Sequence, residues 1–135
     1  MTESAPPLTR IISPAEIAAA FPAGGSFIET PEYRVGLARR EGPGDAEVHD
    51  LDTDIFYVFE GTAVLITGGE MHEPRSVGPS EVRASSTIGG ETRTVAKGDI
   101  IVIPRTVPHW FKEVPIAPFI YLVVKSTALT PPLPR

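Results

Sequence analysis

Proline and glycine recur so often along this chain, 15 and 12 times in 135 residues, that few uninterrupted stretches remain for helix. Proline lacks an amide proton and fixes its own φ, while glycine has the largest backbone entropy to lose, so both end helices and mark turns between short extended segments. One short helix nevertheless has proper start signals. In ISPAEIAAAF, Ser13 is placed to cap, Pro14 takes the first helical position, Glu16 completes a capping box, and Pro22 follows the alanine-rich turn. This element is expected to be an N-terminal cover.

Beyond it the chain reads as strands: FIET, EYRVGLARR, AEVHD, IFYVFEGTAVLIT, RTVA, DIIVIP, HWFKEV and FIYLVVK. EGPGD (41–45), TGGE (67–70), IGGE (88–91) and AKGD (96–99) supply the turn chemistry between them. Many short strands, evenly punctuated and without alternating helices, predict an all-β sandwich or small barrel. The stretch GGEMHEPRSVGPSEVRASS (68–86) shows no clear alternation, so it is expected to be a long loop or irregular hairpin, with the length of a lid or a subunit contact. The expected organisation is an arm with a short helix over 1–31, a strand-rich unit over 32–125 and a Pro-rich tail over 126–135. No internal repeat or second domain is visible.

A chain of this length buries roughly two-thirds of its unfolded surface around one core. A net charge of −5 offers no basic footprint for nucleic acid. Every apolar run is broken well before the ~20 residues a spanning helix needs, and the first ten residues lack the pattern of a signal peptide, so a cytoplasmic protein with no membrane partner is expected. The absence of cysteine removes disulfides, thiolate nucleophiles and sulfur-ligated metals, so any metal must be held by nitrogen and oxygen. Only His49, His72 and His109 can offer nitrogen from an imidazole.

The segment VHDLDTDIFYVFEG (48–61) crowds a histidine and several acids against an apolar strand. Side chains on a strand alternate faces, so Glu47 and His49 share one face, and Asp54, Phe56 and Val58 share one face of the next strand. Small barrels are filled by side chains, with room for one small ligand toward the mouth. Acids and an imidazole gathered there are donors that a divalent cation would take, although aspartate is also an ordinary turn residue, and Asp52 is read as one.

A second segment, KGDIIVIPRTVPHWFKEV (97–114), resembles, together with the first, the paired motifs of the cupin family. Gly98, Pro104 and His109 keep the spacing of the family's second motif, with Thr106 standing where a glycine is expected and Glu113 where an asparagine is. In the first motif Gly61, Asp54 and His49 fall on the glycine, glutamate and second histidine positions, and Glu47 on the first histidine position. The resemblance implies a double-stranded β-helix, or jelly roll, over roughly residues 32 to 125. It also implies a divalent ion (Fe, Mn, Zn or Ni) held by His49, Asp54 and His109, with Glu47 as a fourth ligand or a neighbour of one.

Phe56, Val58 and Phe111 are expected to line an apolar pocket, with Phe111 inward by parity with His109 and Trp110 outward, at a dimer contact. Arg34 is a candidate anchor for an anionic, carboxylate-bearing small molecule, because a guanidinium fork matches a carboxylate. Arg39 and Arg105 are read as solvated. His72 is either an exposed loop residue or, if its loop covers the mouth, a further ligand or acid–base group. Two functions stay open: a metal-dependent dioxygenase, isomerase, lyase or hydrolase acting on a small organic molecule, or a non-catalytic small-molecule binding or sensor protein. A homodimer is expected, since strand edges need covering.

Overall fold

A computed structural model describes residues 8–128; the remainder of the Pro-rich tail lies outside the described residues. Helix α1 (Pro14–Ala20) begins as its capping box dictates. The Ser13 hydroxyl accepts from Glu16 N at 3.2 Å, Glu16 Oε1 accepts from Ser13 N at 3.5 Å, and Arg10 holds the other Glu16 oxygen at 2.8 Å. Phe21, just past the helix, packs its ring 5.6 Å from that of Phe59, so the helix covers an outer face of the sheet.

Among the described residues eleven strands follow: β1 (Gly25–Glu29), β2 (Tyr33–Arg40), β3 (Ala46–His49), β4 (Asp52–Thr67), β5 (Glu70–His72), β6 (Arg75–Gly78), β7 (Glu81–Ala84), β8 (Ser86–Ile88), β9 (Glu91–Ala96), β10 (Ile100–Ile103) and β11 (His109–Thr127). One path of antiparallel partners runs β1, β2, β11, β3, β7, β6, while β4 pairs along β11 and carries β9 and β10. The two long strands make the roll. β4 and β11 pair from His109↔Thr67 to Thr127↔Asp52, with register shifts between Phe111 and Tyr121 where the ribbon bends. Gly61 sits at that bend with φ 80°, and a Cβ there would come within 2.2 Å of Pro118 O, so no other residue fits.

Alternation puts Phe56 and Val58 of β4 and Phe111, Phe119 and Tyr121 of β11 into one core, which Leu65 joins on the opposite parity beyond the Gly61 bend. Phe119 and Val58 are fully buried. Ring centroids of Phe111, Phe119 and Tyr121 lie 5.0 to 5.4 Å apart, and burying each such side chain contributes roughly 1.5–3 kcal/mol.

Three features sharpen the sequence-based expectation. HWFKEV and FIYLVVK join into the single strand β11, because Pro115 and Pro118 sit within the irregular bend and disrupt only its local register. The stretch 68–86, expected to be a long loop or irregular hairpin, is a hairpin nested in a second strand pair: β6 pairs β7 with a register shift, β5 pairs β8, and β7 also pairs β3. Each spans only three or four residues, too few for a period to show. Strand β1, anticipated by FIET, adds an edge to the main sheet. Among the described residues, no helix is long and apolar enough to cross a membrane.

Candidate metal centre

Strand β3 is flanked by β11 and β7, so its register decides what meets Glu47 and His49. Glu47 lies opposite His109 on one side and Arg83 on the other, and His49 lies opposite Glu81. Asp54, on β4, stands between Ile103 of β10 and Lys125 of β11. His109 opens β11 after the tight turn of Pro104 to Pro108, in which Val107 N donates to Pro104 O at 3.2 Å and Thr106 N donates to His49 O at 2.8 Å. That last bond ties the two motif segments together. Thr106 itself sits at φ 75°, the left-handed conformation a glycine would adopt without steric cost.

The structure thereby brings Glu47, His49 and His109 to one point: one donor atom of each lies within 4.8 Å of the other two. Asp54 Oδ2 stands 3.5 Å from His49 Nε2 and 3.3 Å from His109 Nε2. Neighbouring ligands about 2.1 Å from a shared ion are separated by roughly this much. His49, Asp54 and His109 are all buried. The two imidazole rings are tilted by 43° with centroids 5.1 Å apart.

The tautomers follow from the hydrogen bonds. His109 Nδ1 lies 3.0 Å from Val107 O, a carbonyl that can only accept, so a ring that gives Nε2 to a metal keeps its proton on Nδ1. His49 Nε2 is buried without any hydrogen-bond partner. Burial, reinforced by the Lys125 charge and opposed by Asp54, pulls the His49 pKa below its ordinary value and keeps the ring neutral. Burial alone would raise the Asp54 pKa, but a hydrogen bond with His109 and the charge and hydrogen bond of Lys125 outweigh it and lower the pKa of the carboxyl. The arrangement gathers two imidazole nitrogens and a carboxylate, groups that can each give a lone pair to a metal ion.

The centre opens onto a cavity of about 510 Å³. Phe56 and Phe111 are in its wall, whereas Val58 is packed in the core behind it. Arg34 lines the cavity, but its guanidinium is bound to the Asp52 carboxylate, which also accepts from Thr127 Oγ1 at 2.7 Å. Asp52 is thus an ion-paired strand residue rather than a solvated turn. Arg39 bonds Glu41 and Phe21 O. Trp110 is half-buried on the other face and donates to Gly44 O at 2.9 Å. His72 is exposed on β5, opposite Ser86, and is not part of the cluster.

Sequence reasoning missed Arg40, Arg83 and Lys125, all of which line the cavity. Parity from Arg34 along β2, and from Tyr121 along β11, points to Arg40 and Lys125. For Arg83 no signal was available, since its strand is visible only through pairing with β3. Burial raises the Tyr121 pKa and keeps its hydroxyl protonated, with Arg40 opposing.

No family model and no curated protein matches this chain. Solved structures do. A conserved protein with a double-stranded β-helix domain from Klebsiella pneumoniae is similar with a TM-score of 0.58 and 18% identity, over 90% of this chain and 93% of that one. The cupin domain of Cnp3 from Schizosaccharomyces pombe gives a TM-score of 0.56 and 12% identity, over 77% of this chain and 63% of that one. Hydroquinone 1,2-dioxygenase PnpCD, in complex with Cd2+ and 4-hydroxybenzonitrile, gives 0.53 and 15%, over 73% of this chain and 60% of that one. Together with the paired β4 and β11 and the core between them, these likenesses show that the chain has the double-stranded β-helix fold of the cupins.

Proposed function

We propose that the chain binds one divalent ion, Fe, Mn, Zn or Ni, through Glu47, His49 and His109 with Asp54 Oδ2 beside them, and uses it on a small organic molecule held in the cavity. The observation that carries this reading is the apposition of metal-ligating groups. The Nε2 atoms of two buried imidazoles stand 3.3 and 3.5 Å from one carboxylate oxygen, the separation of neighbouring ligands around a single ion, and neutral imidazole and carboxylate are groups that give a lone pair to a metal. Nitrogen and carboxylate donors suit those metals, and the Val107 carbonyl orients His109 as the outer partner of a ligand imidazole does.

The chain's own residues divide the remaining tasks. Arg83, 3.1 Å from Glu47, and Lys125, 2.8 Å from Asp54, orient the two carboxylates and moderate their charge. Phe56 and Phe111 supply apolar wall that keeps bulk water from part of the cavity. A bound ion would supply Lewis acidity or, for a redox-active metal, a binding position for a further ligand. Likeness to a Cd2+-bound dioxygenase supports the metal but does not select among oxygenation, isomerisation, elimination and hydrolysis.

Elemental analysis of the purified protein tests the reading. About one equivalent of transition metal is expected in the wild type and almost none in His109→Ala; equal metal content in both rejects the assignment. A second reading has a specific observation behind it: both carboxylates already have a cationic partner, as in a barrel that binds small molecules without a metal. Metal-free wild-type protein that refuses added zinc while binding small organic ligands would favour it.

The reading extends to a homodimer. Among the described residues β10 pairs only with β4, and Ile100 and Val102 on it are 69% and 59% exposed. An open apolar edge of this kind is covered most simply by a second copy. Light scattering should give twice the chain mass at micromolar concentration, and a monomer mass there would exclude it.

A further inference from the structure

The cavity that holds the metal cluster also contains a guanidinium that no carboxylate neutralises. Three of the four cations lining it are matched: Arg34 by Asp52, Arg83 by Glu47 and Glu81, and Lys125 by Asp54. Among the described residues Arg40 makes no ion pair. Its Nε donates to Tyr121 Oη at 3.0 Å, and its guanidinium carbon lies 4.9 Å from the centroid of the Phe111 ring.

Arg40 is seated rather than adrift. Alternation along β2 puts it on the face of Arg34, with the small residues Gly36 and Ala38 between them. The neighbouring chain is cut back to receive it, since a Cβ on Gly44 would come within 2.3 Å of Arg40 Nη1. One phenol oxygen and one ring face offset only part of the cost of withdrawing a guanidinium from water. Its remaining donors form a planar fork that matches a carboxylate.

Position supplies the second half of the argument. Phe111, under the guanidinium, lies two residues beyond His109 on the same strand and the same face, roughly 6.6 Å along it at the usual strand rise. A carboxylate docked on Arg40 would therefore place atoms a few bonds away in front of Glu47, His49 and His109. We propose that Arg40, steadied by Tyr121 and Phe111, anchors the carboxylate of a small organic monoanion whose other end faces the metal cluster. This names the substrate class of the site and rests on the metal-centre reading only for the second half of that sentence.

Calorimetric titration of the purified protein, its metal content measured, tests the anchor with propionate, butyrate and benzoate beside propionamide, butyramide and benzamide. The acids should bind at least ten-fold tighter than the amides. Arg40→Gln should weaken the acids at least ten-fold while leaving amide binding and metal content unchanged. Arg40→Lys, which keeps the charge and loses the fork, should weaken them several-fold, and serves if the glutamine variant does not fold. Equal binding of acids and amides, or acid binding indifferent to both Arg40 variants, overturns the proposal. His109→Ala separates the two readings. Acid binding that persists there and still depends on Arg40 leaves the anchor standing whatever becomes of the metal. Acid binding that disappears with the metal and ignores Arg40 is direct coordination to the ion, and sinks the anchor.

Discussion

Lys125 Nζ donates to Asp54 Oδ1 at 2.8 Å, while Oδ2 of the same carboxylate stands 3.3 Å from His109 Nε2. One buried aspartate thus faces a fixed cation on one side and two imidazoles on the other. The two partners compete for its charge: whatever Lys125 neutralises is unavailable to an ion among the imidazoles.

Lys125→Met should therefore act unequally on the metal-free and metal-bound states. Without metal it leaves a buried carboxylate unpaired and should cost about 3 kcal/mol of folding free energy. With metal that loss should shrink, because the ion takes over the neutralisation and stabilises the native state by mass action. Urea midpoints measured with chelator and with excess zinc check this; equal losses in both would mean that Asp54 does not serve the metal.

Asp54→Asn and Asp52→Asn should separate metal binding from stability. The first removes the negative charge facing both imidazoles and should weaken metal binding roughly 10- to 100-fold while the fold persists. The second breaks the bonds to Arg34 and Thr127 and should cost roughly 1–2 kcal/mol with metal content unchanged. Metal titrations and denaturation curves of the two variants would contradict the assignment if Asp52 proved the residue that loses the metal.

Acid should destabilise the metal-free protein first through His49. Its folded pKa is held below 6.5, mainly by burial and then by the Lys125 charge. As pH falls through 6.5, the unfolded chain takes up a proton on this ring before the folded chain does. The contribution is thus fully present above that pH and declines below it, by up to ~1.4 kcal/mol per pH unit. Asp54, held below 3.8, adds its own loss only at lower pH. Stability curves between pH 5 and 8 should slope downward toward acid in the wild type and flatten in His49→Gln; a slope unaltered by that substitution assigns it elsewhere.

Thr106→Gly should stabilise the protein by about 1 kcal/mol. The β-branched threonine is held at φ 75°, and relief of that strain exceeds the extra chain entropy a glycine loses. The thermal midpoint is the readout. A lowered midpoint would mean that the threonine side chain contributes more than its backbone conformation costs.

Local chemistry made much of this architecture legible. Ser13, Pro14 and Glu16 specify a helix start by bonds within four residues, and strand alternation alone places Glu47 with His49, Asp54 with Phe56, and Phe111 inward of Trp110. Motif spacing marked Gly61, whose conformation and lack of a Cβ the bend requires, and Thr106, which takes the left-handed turn of an expected glycine. Those features are set by periodicity and by backbone sterics, which a sequence carries explicitly.

What only the tertiary structure decided is which strands lie side by side. Lys125 reaches Asp54 across 71 residues, and Arg83 reaches Glu47 from a stretch with no readable period, because β7 lies between β6 and β3. The choice between Arg34 and Arg40 was likewise invisible. Both lie on one face of β2, and it is pairing across the sheet that gives Asp52 to the first and only Tyr121 and Phe111 to the second. A strand's sequence determines which side chains share its face; its neighbours, chosen by long-range register, determine which of those charges are neutralised and which stay available to a ligand.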